Sequence, residues 1–171
     1  MTPPASPSID ILAVGNAIVD VLSHVDDAVI DGLPVNKGAM TLIGAVEAQQ
    51  MYSVLGPGVE CSGGSAANTV VGAAILGART AFVGRVKDDP LGGIFSHDIR
   101  AAGVRFETAA VPDGPDTAVC MVMVTPDAHR TMCTHLGASI ELGPDDVDEA
   151  LVRNSAVLYL EGYLWDPPGA R

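Results

Sequence analysis

Cys61-Ser62-Gly63-Gly64-Ser65-Ala66-Ala67-Asn68, running on through Thr69 to Leu76 and closed by Gly77, is the stretch on which the fold turns. Its pattern predicts a turn feeding directly into a helix. Gly63 and Gly64 carry no side chain, so a neighbouring group can approach the backbone closely there. The start of the helix offers unpaired N–H groups and a partial positive charge. Asn68 falls about one turn in, with an amide that both donates and accepts hydrogen bonds. A polar ligand could be held at such a place. The alternative is a helix start packed tightly on a neighbour, with small residues chosen for contact.

Working outward, the flanking sequence alternates short apolar runs with helical patterns. Ile9 to Val14 is an apolar run ending at Gly15 and predicts a buried parallel strand. Asn16 and Asp20 follow at its C-terminal end, the end at which ligands gather in open α/β sheets. Val19 to Val25 continues as a strand, and Asp26 to Leu33 is a short helix or turn before Pro34. Lys37 to Ile43 reads as a turn and a short strand. Ala45 to Leu55 reads as a helix ended by Gly56-Pro57-Gly58.

Beyond Gly77, Thr80 to Gly84 predicts another buried strand. Asp88-Asp89-Pro90 starts a helix that runs to about Ala102 and stops at Gly103. Thr117 to Val124 and Arg130 to Leu136 form a hairpin standing outside the main sheet. Pro144 to Val152 predicts an acidic-started helix. Ala156 to Leu160 predicts a core strand, leading into Glu161-Gly162-Tyr163. The whole predicts an α/β domain with a small β appendage that could act as a lid.

Composition narrows the function. A chain of 171 residues with 48% hydrophobic residues can bury a real core. Nine lysines and arginines against 21 aspartates and glutamates give a net charge of −12, which argues against nucleic acid and membrane surfaces as partners. Cys61, Cys120 and Cys133 show no C-x-x-C spacing, so they read as reduced thiols of a cytoplasmic protein. Residues 1–8 read as a flexible leader, lacking the basic flank and apolar stretch of a signal peptide. The longest apolar run, Ala118 to Val124, is too short to cross a membrane.

The glycine pair belongs to neither common phosphate loop. The G-x-x-x-x-G-K-[ST] order is absent, and so is G-x-G-x-x-G after the first strand. A neutral polyol fits better. The Asp20 carboxylate can accept two adjacent hydroxyl protons, although a solvated strand-end carboxylate is the commoner case. Asn16 can add a polar contact. Arg130 sits on the hairpin, where it is either a surface arginine or a cation that meets an anionic group of a second substrate. Met40, Leu42, Met132 and Leu136 supply the apolar face a lid needs, or simply pack. His24, His97, His129 and His135 have no metal-ligand spacing, and no metal site is expected. Tyr163 and Trp165 read as edge packing, with stacking on a flat ligand as the other option.

Taken together, Gly15 to Asp20, Gly63 to Asn68, Leu76 to Val86, Asp88-Asp89-Pro90-Leu91-Gly92 and His129-Arg130-Thr131 resemble the N-terminal half of a PfkB/ribokinase-like carbohydrate kinase, and most closely the adenosine kinase branch. The resemblance implies a Rossmann-type sandwich with a mostly parallel sheet, flanking helices and a small β lid. Residues 9–171 then form a truncated ribokinase-like domain, with lid strands within about 19–43 and 117–137. It implies that Asn16, Asp20, Gly63, Gly64 and Asn68 contact the sugar or nucleoside, and that Arg130 contacts phosphate. ATP and Mg2+ would serve the complete enzyme as co-substrate and metal. Val70 and Lys87 depart from the family's first signature. Leu164 falls where some adenosine kinases stack an aromatic ring on the base, with Tyr163 beside it.

The family's second signature, D-T-x-G-A-G-D, does not occur in this sequence. It carries the catalytic aspartate and the phosphate-binding helix start, so no catalytic residue is expected in these 171 residues. The expectation is an ATP-dependent sugar or nucleoside kinase of which this chain supplies the acceptor site and lid, inactive by itself. The alternative is a non-catalytic sugar- or nucleoside-binding or assembly module on the same half-fold, and a nucleotide-cofactor domain is a weaker third. The exposed lid ribbon invites a homodimer.

Overall fold

The computed structural model describes residues 7–56, 58–166 and 168. Most of the expected leader, residues 1–6, lies outside them, as do Pro57, Pro167 and residues 169–171. Two sheets are formed among the described residues. The first is fully parallel. Its strands run β6 (Arg105–Phe106), β5 (Thr80–Val83), β1 (Ile9–Val14), β9 (Ser155–Leu160) in spatial order. The second is mixed, in the order β3 (Met40–Leu42), β8 (Arg130–His135), β7 (Ala118–Val124), β2 (Ile18–His24), β4 (Val59–Gly63). β2 pairs parallel with β7 and antiparallel with β4, and β7 and β8 form the antiparallel hairpin.

The apolar runs become strands because burial on both faces rewards them. All four residues of β5 and six of seven in β7 are buried. The remaining helices are α1 (Asp27–Asp31), α2 (Ala45–Val54), α3 (Ser65–Ile75), α4 (Pro90–Ala101) and α5 (Glu149–Arg153). α4 starts where its sequence places it: Asp89 Oδ1 accepts the N–H of Gly92 at 2.7 Å, and Pro90 opens the first turn. The other Asp89 oxygen accepts the Thr117 N–H at 2.9 Å, tying this cap to the start of β7.

One core cluster runs from the inner face of β1 through α3 and α4 into the second sheet. Its centre is three mutually touching rings, Phe82, Phe95 and Phe106, with centroids 5.4–5.9 Å apart. A smaller cluster of Leu12, Val14, Ala81, Val83, Leu151 and Leu164 lies on the opposite face of the parallel sheet.

Four features differ from the sequence reading. Val59–Gly63 is a strand, not part of a turn: β2 offers it a pairing edge, and that tertiary pairing overrides the weak strand tendency of glycine. The two-residue β6 likewise exists through its pairing with β5. The expected helix over Pro144–Val152 is split. Asp146 Oδ2 turns back to accept the Gly143 N–H at 2.9 Å and pairs with Arg85 at 2.9 Å, which closes a 3₁₀ turn at Pro144–Asp146. Asp148 Oδ1 then caps α5 through Ala150 N. Finally, β9, expected as a core strand, stands at the edge of the parallel sheet among the described residues, with five of its six residues exposed.

Candidate functional site

The site lies where β1 ends, β2 begins and α3 starts. Gly64 connects β4 to α3 with φ +97°, a conformation that glycine adopts without strain. A Cβ there would run into the Asn16 carbonyl oxygen, and one on Gly63 would collide with the Asp20 carboxylate. The glycine pair thus lets β4 lie directly against the β1–β2 corner. This is the close approach the sequence predicts, and the first occupants are the protein's own groups.

The helix start is also already occupied. Glu161, only 5% exposed, follows β9 and reaches back into the corner. Its Oε1 accepts the Asn16 N–H at 2.6 Å. Its Oε2 accepts the Ser65 hydroxyl at 2.7 Å and the Ala66 N–H at 3.2 Å. A carboxylate therefore sits where the α3 dipole and orphan N–H groups favour an anion, which removes that helix start as a free phosphate cradle. The sequence reading gave Glu161 no role. Its one signal was position, a carboxylate immediately after the last strand of a parallel sheet.

Beside this corner opens a cavity of about 350 Å³. Ile18, Met40, Leu42, Leu136 and Tyr163 form its apolar wall, while Asn16, Ser65, Thr134, Glu161 and Asp166 add polar groups. Asn16 is 4% exposed, and its Oδ1 is buried without a hydrogen-bond partner among the described residues. An unpaired buried amide oxygen costs about 1–3 kcal/mol, so a ligand hydroxyl or amine that reaches it recovers that energy.

Strand register sets the rest. Leu42, Thr134, Cys120, Asp20 and Cys61 form one row across the second sheet, each paired with the next. Asp20 is therefore on the face that carries Ile18 and Leu42 toward the cavity, two residues beyond Ile18. Burial pushes its carboxyl up to about 6, and the positive charge of Arg130 pulls in the opposite direction. Cys120 accepts a hydrogen bond from Thr134 Oγ1 at 3.2 Å, and burial holds its thiol at about 11, so it is a protonated packing group at neutral pH.

Of the expected site residues, Asn16, Met40, Leu42 and Leu136 line the cavity. Asp20, Gly63 and Gly64 adjoin it through the contacts above. Asn68 is exposed on α3, one turn past Gly64, to whose carbonyl its own N–H bonds at 2.9 Å. Met132 is paired with Met40 on the same sheet, further from the corner. Arg130 starts β8 at the far end and is exposed. Tyr163 lines the cavity, whereas Leu164 beside it is buried in the smaller core cluster.

Residues 38–169 match the model of the pfkB family of carbohydrate kinases. The chain belongs to that family. Over 95% of its length it superposes on the adenosine kinase from Sinorhizobium meliloti with a TM-score of 0.86 and 53% identity, spanning 50% of that chain. A probable sugar kinase from Rhizobium etli gives a TM-score of 0.88 and 49% identity, again spanning 50% of that chain. An ATP-dependent ribose-1-phosphate kinase from Halopiger xanaduensis is 31% identical over 111 residues, and the match spans 38% of that relative. The α/β architecture and the kinase kinship read from the motifs are both borne out. Among the described residues, no cluster of three His, Cys, Asp or Glu side chains could hold a metal ion, and no helix is long and apolar enough to cross a membrane.

Proposed function

We propose that this PfkB chain binds the phosphoryl acceptor of an ATP-dependent nucleoside or sugar kinase, and that the acceptor is a nucleoside. The carrying observation is the buried, unpartnered Asn16 Oδ1 on a cavity whose other wall is apolar. Such a site matches a molecule with a polar sugar at one end and a flat, weakly polar ring at the other. The sugar hydroxyls would meet Asn16 and the ionised Asp20, with Gly63 and Gly64 keeping the backbone clear of them. The ring would lie among Met40, Leu42, Leu136 and Tyr163. The 53% identical Sinorhizobium protein, an adenosine kinase, supports the nucleoside over a free sugar.

The second sheet would act as the lid, with Arg130 available to an anionic group at its far end. ATP supplies the transferred phosphoryl group in this family, with Mg2+ to neutralise charge. The residues here do not fit that group: Glu161 accepts the Ala66 N–H and the Ser65 hydroxyl at the start of α3, and no metal-ligand cluster converges among the described residues. The chain's own task is to bind the acceptor, orient it and exclude water from it. By itself it is expected to show no phosphoryl transfer.

The test is a thermal-shift and calorimetry series on the 171-residue chain with adenosine, ribose and fructose. Adenosine is expected to raise the midpoint, and Asn16→Ala to abolish the rise. A response to fructose alone would overturn the nucleoside assignment. Phosphoryl transfer by the chain alone would overturn its assignment as an acceptor-binding half.

A further inference from the structure

β3, the strand that carries Met40 and Leu42 to the cavity, has little of its own to hold it in register. It is three residues long. It pairs in parallel with β8 on one side, and on the other it has no strand beside it among the described residues. Register is strongly specified only where one face of a strand is buried. Met40 and Leu42 are each more than half exposed, so burial of their side chains does little to fix them. Side chains alternate along a strand, and a slip of one residue would turn Thr41 to the cavity and the two apolar residues away from it.

What holds the register lies just before the strand. The Lys37 ammonium is clamped between two carboxylates, Asp127 Oδ2 at 2.5 Å and Asp27 Oδ1 at 2.6 Å. Asp27 opens α1, and Asp127 lies in the turn between β7 and β8, 90 residues away from Lys37 in sequence. Asp127 divides its oxygens between two tasks. Oδ1 accepts the Thr125 hydroxyl at 2.6 Å and the His129 N–H at 3.3 Å, which shapes the turn, while Oδ2 faces Lys37 and His129 Nδ1. The hydrogen bonds to Asp127 and Asp27 raise the Lys37 pKa, and the one to Lys37 holds the Asp127 carboxyl well below the usual carboxylate range. From this clamp the chain is laid onto β8 bond by bond. The Gly38 N–H reaches the buried Thr131 hydroxyl at 3.0 Å, the Ala39 carbonyl accepts the Met132 N–H at 2.9 Å, and the Ile43 N–H reaches the Thr134 carbonyl at 2.9 Å.

We propose that Lys37 is a positioning residue for the acceptor site: clamped by Asp27 and Asp127, it pins the register of β3 and so keeps Met40 and Leu42 on the cavity wall. Lys37 is not itself among the residues that line the cavity. Exposed ion pairs are individually weak, but the strand they align is weakly held as well, so their loss shows in the strand. What the cavity holds rests on the nucleoside reading above, whereas the pin rests on the strand and its charges.

The experiment compares the 171-residue chain with Lys37→Met, which keeps an unbranched stem and removes the charge, and Lys37→Arg, which keeps the charge. Amide exchange in the free chain reads the pin without any ligand. At Met132 and Ile43 it is expected to speed up by about three- to tenfold in Lys37→Met and to stay within about twofold of the parent in Lys37→Arg. Asp127→Asn, which retains Oδ1 for the turn, is expected to speed it up by about threefold. The double variant with Lys37→Met should be no faster than Lys37→Met alone, because the two share one interaction. Lys87→Met, which breaks the Lys87–Asp116 pair at the start of β7, leaves both amides unchanged. Adenosine affinity by calorimetry is expected to fall about three- to tenfold in Lys37→Met and to return in Lys37→Arg. Unchanged exchange in Lys37→Met, additive effects in the double variant, no rescue by arginine, or faster exchange with parental adenosine affinity would each overturn the proposal. A parent chain that binds no adenosine would overturn the nucleoside assignment instead, and the exchange series would still decide the pin.

Discussion

Replacing Asp20 by asparagine separates stability from binding at the candidate site. Burial moves this carboxyl from an ordinary 3.8 to about 6, against the opposing charge of Arg130. That displacement corresponds to roughly 3 kcal/mol for an isolated group, and partial contact with solvent trims it to on the order of 2 kcal/mol. The sign follows from proton counting. Below about pH 4 the carboxyl is protonated in both the folded and unfolded chain, and it contributes no difference. Between about 4 and 6 the folded chain keeps the proton that the unfolded chain has released, so folding loses stability as pH rises. At pH 7 the full penalty is present. Asp20→Asn removes it, so the variant should be more stable than the parent at pH 7 by on the order of 2 kcal/mol, or roughly 5–8 °C in midpoint for a chain of this size. The two should converge near pH 4.

Urea unfolding of both proteins from pH 4 to 7.5 checks this. The informative quantity is the difference between them, because Asp10, held at about 2 by Arg79, shifts stability the other way and cancels. Nucleoside binding should fail in the variant while strengthening in the parent from pH 5 to 7, as Asp20 ionises. A variant less stable than the parent at pH 7, or a gap independent of pH, would refute the reasoning.

Other perturbations test the corner and the core. Gly63→Ala places a methyl against the Asp20 carboxylate, and should cost about 1–3 kcal/mol in urea unfolding and abolish the ligand-induced thermal shift. Glu161→Ala leaves the Asn16 and Ala66 N–H groups and the Ser65 hydroxyl unpaired, and should destabilise by about 2–4 kcal/mol by urea unfolding, with faster amide exchange at the start of α3. Phe95→Ala empties the centre of the three-ring cluster, and should cost about 3–5 kcal/mol, measured as a lowered urea midpoint with unchanged slope.

Much of the fold was legible because its signals are local. Asp89-Pro90 carries its own capping chemistry, and α4 starts there. The uninterrupted apolar run of β7 can be stable only if buried on both faces, and it is. Elements that depend on a distant partner were not legible. β4 is a strand because β2 lies beside it, and β6 because β5 does. The Pro144–Val152 pattern is broken by Arg85, 61 residues before Asp146 in sequence.

The stretch from Cys61 to Asn68 shows the same division. Residue types at these positions require that something approach the backbone at Gly63 and Gly64 and that a helix follow, because they limit local sterics and hydrogen bonding. What approaches is set by the tertiary packing. The Asp20 carboxylate and the Asn16 carbonyl fill the space beside the glycines, and Glu161 takes the helix start. That packing decided, too, that the apolar run of β9 pairs in parallel with β1. Apolar residues require burial, but sequence does not state against what. Strand order and register are set by long-range packing, and they alone place an orphaned amide, a raised carboxyl and an apolar wall around one cavity.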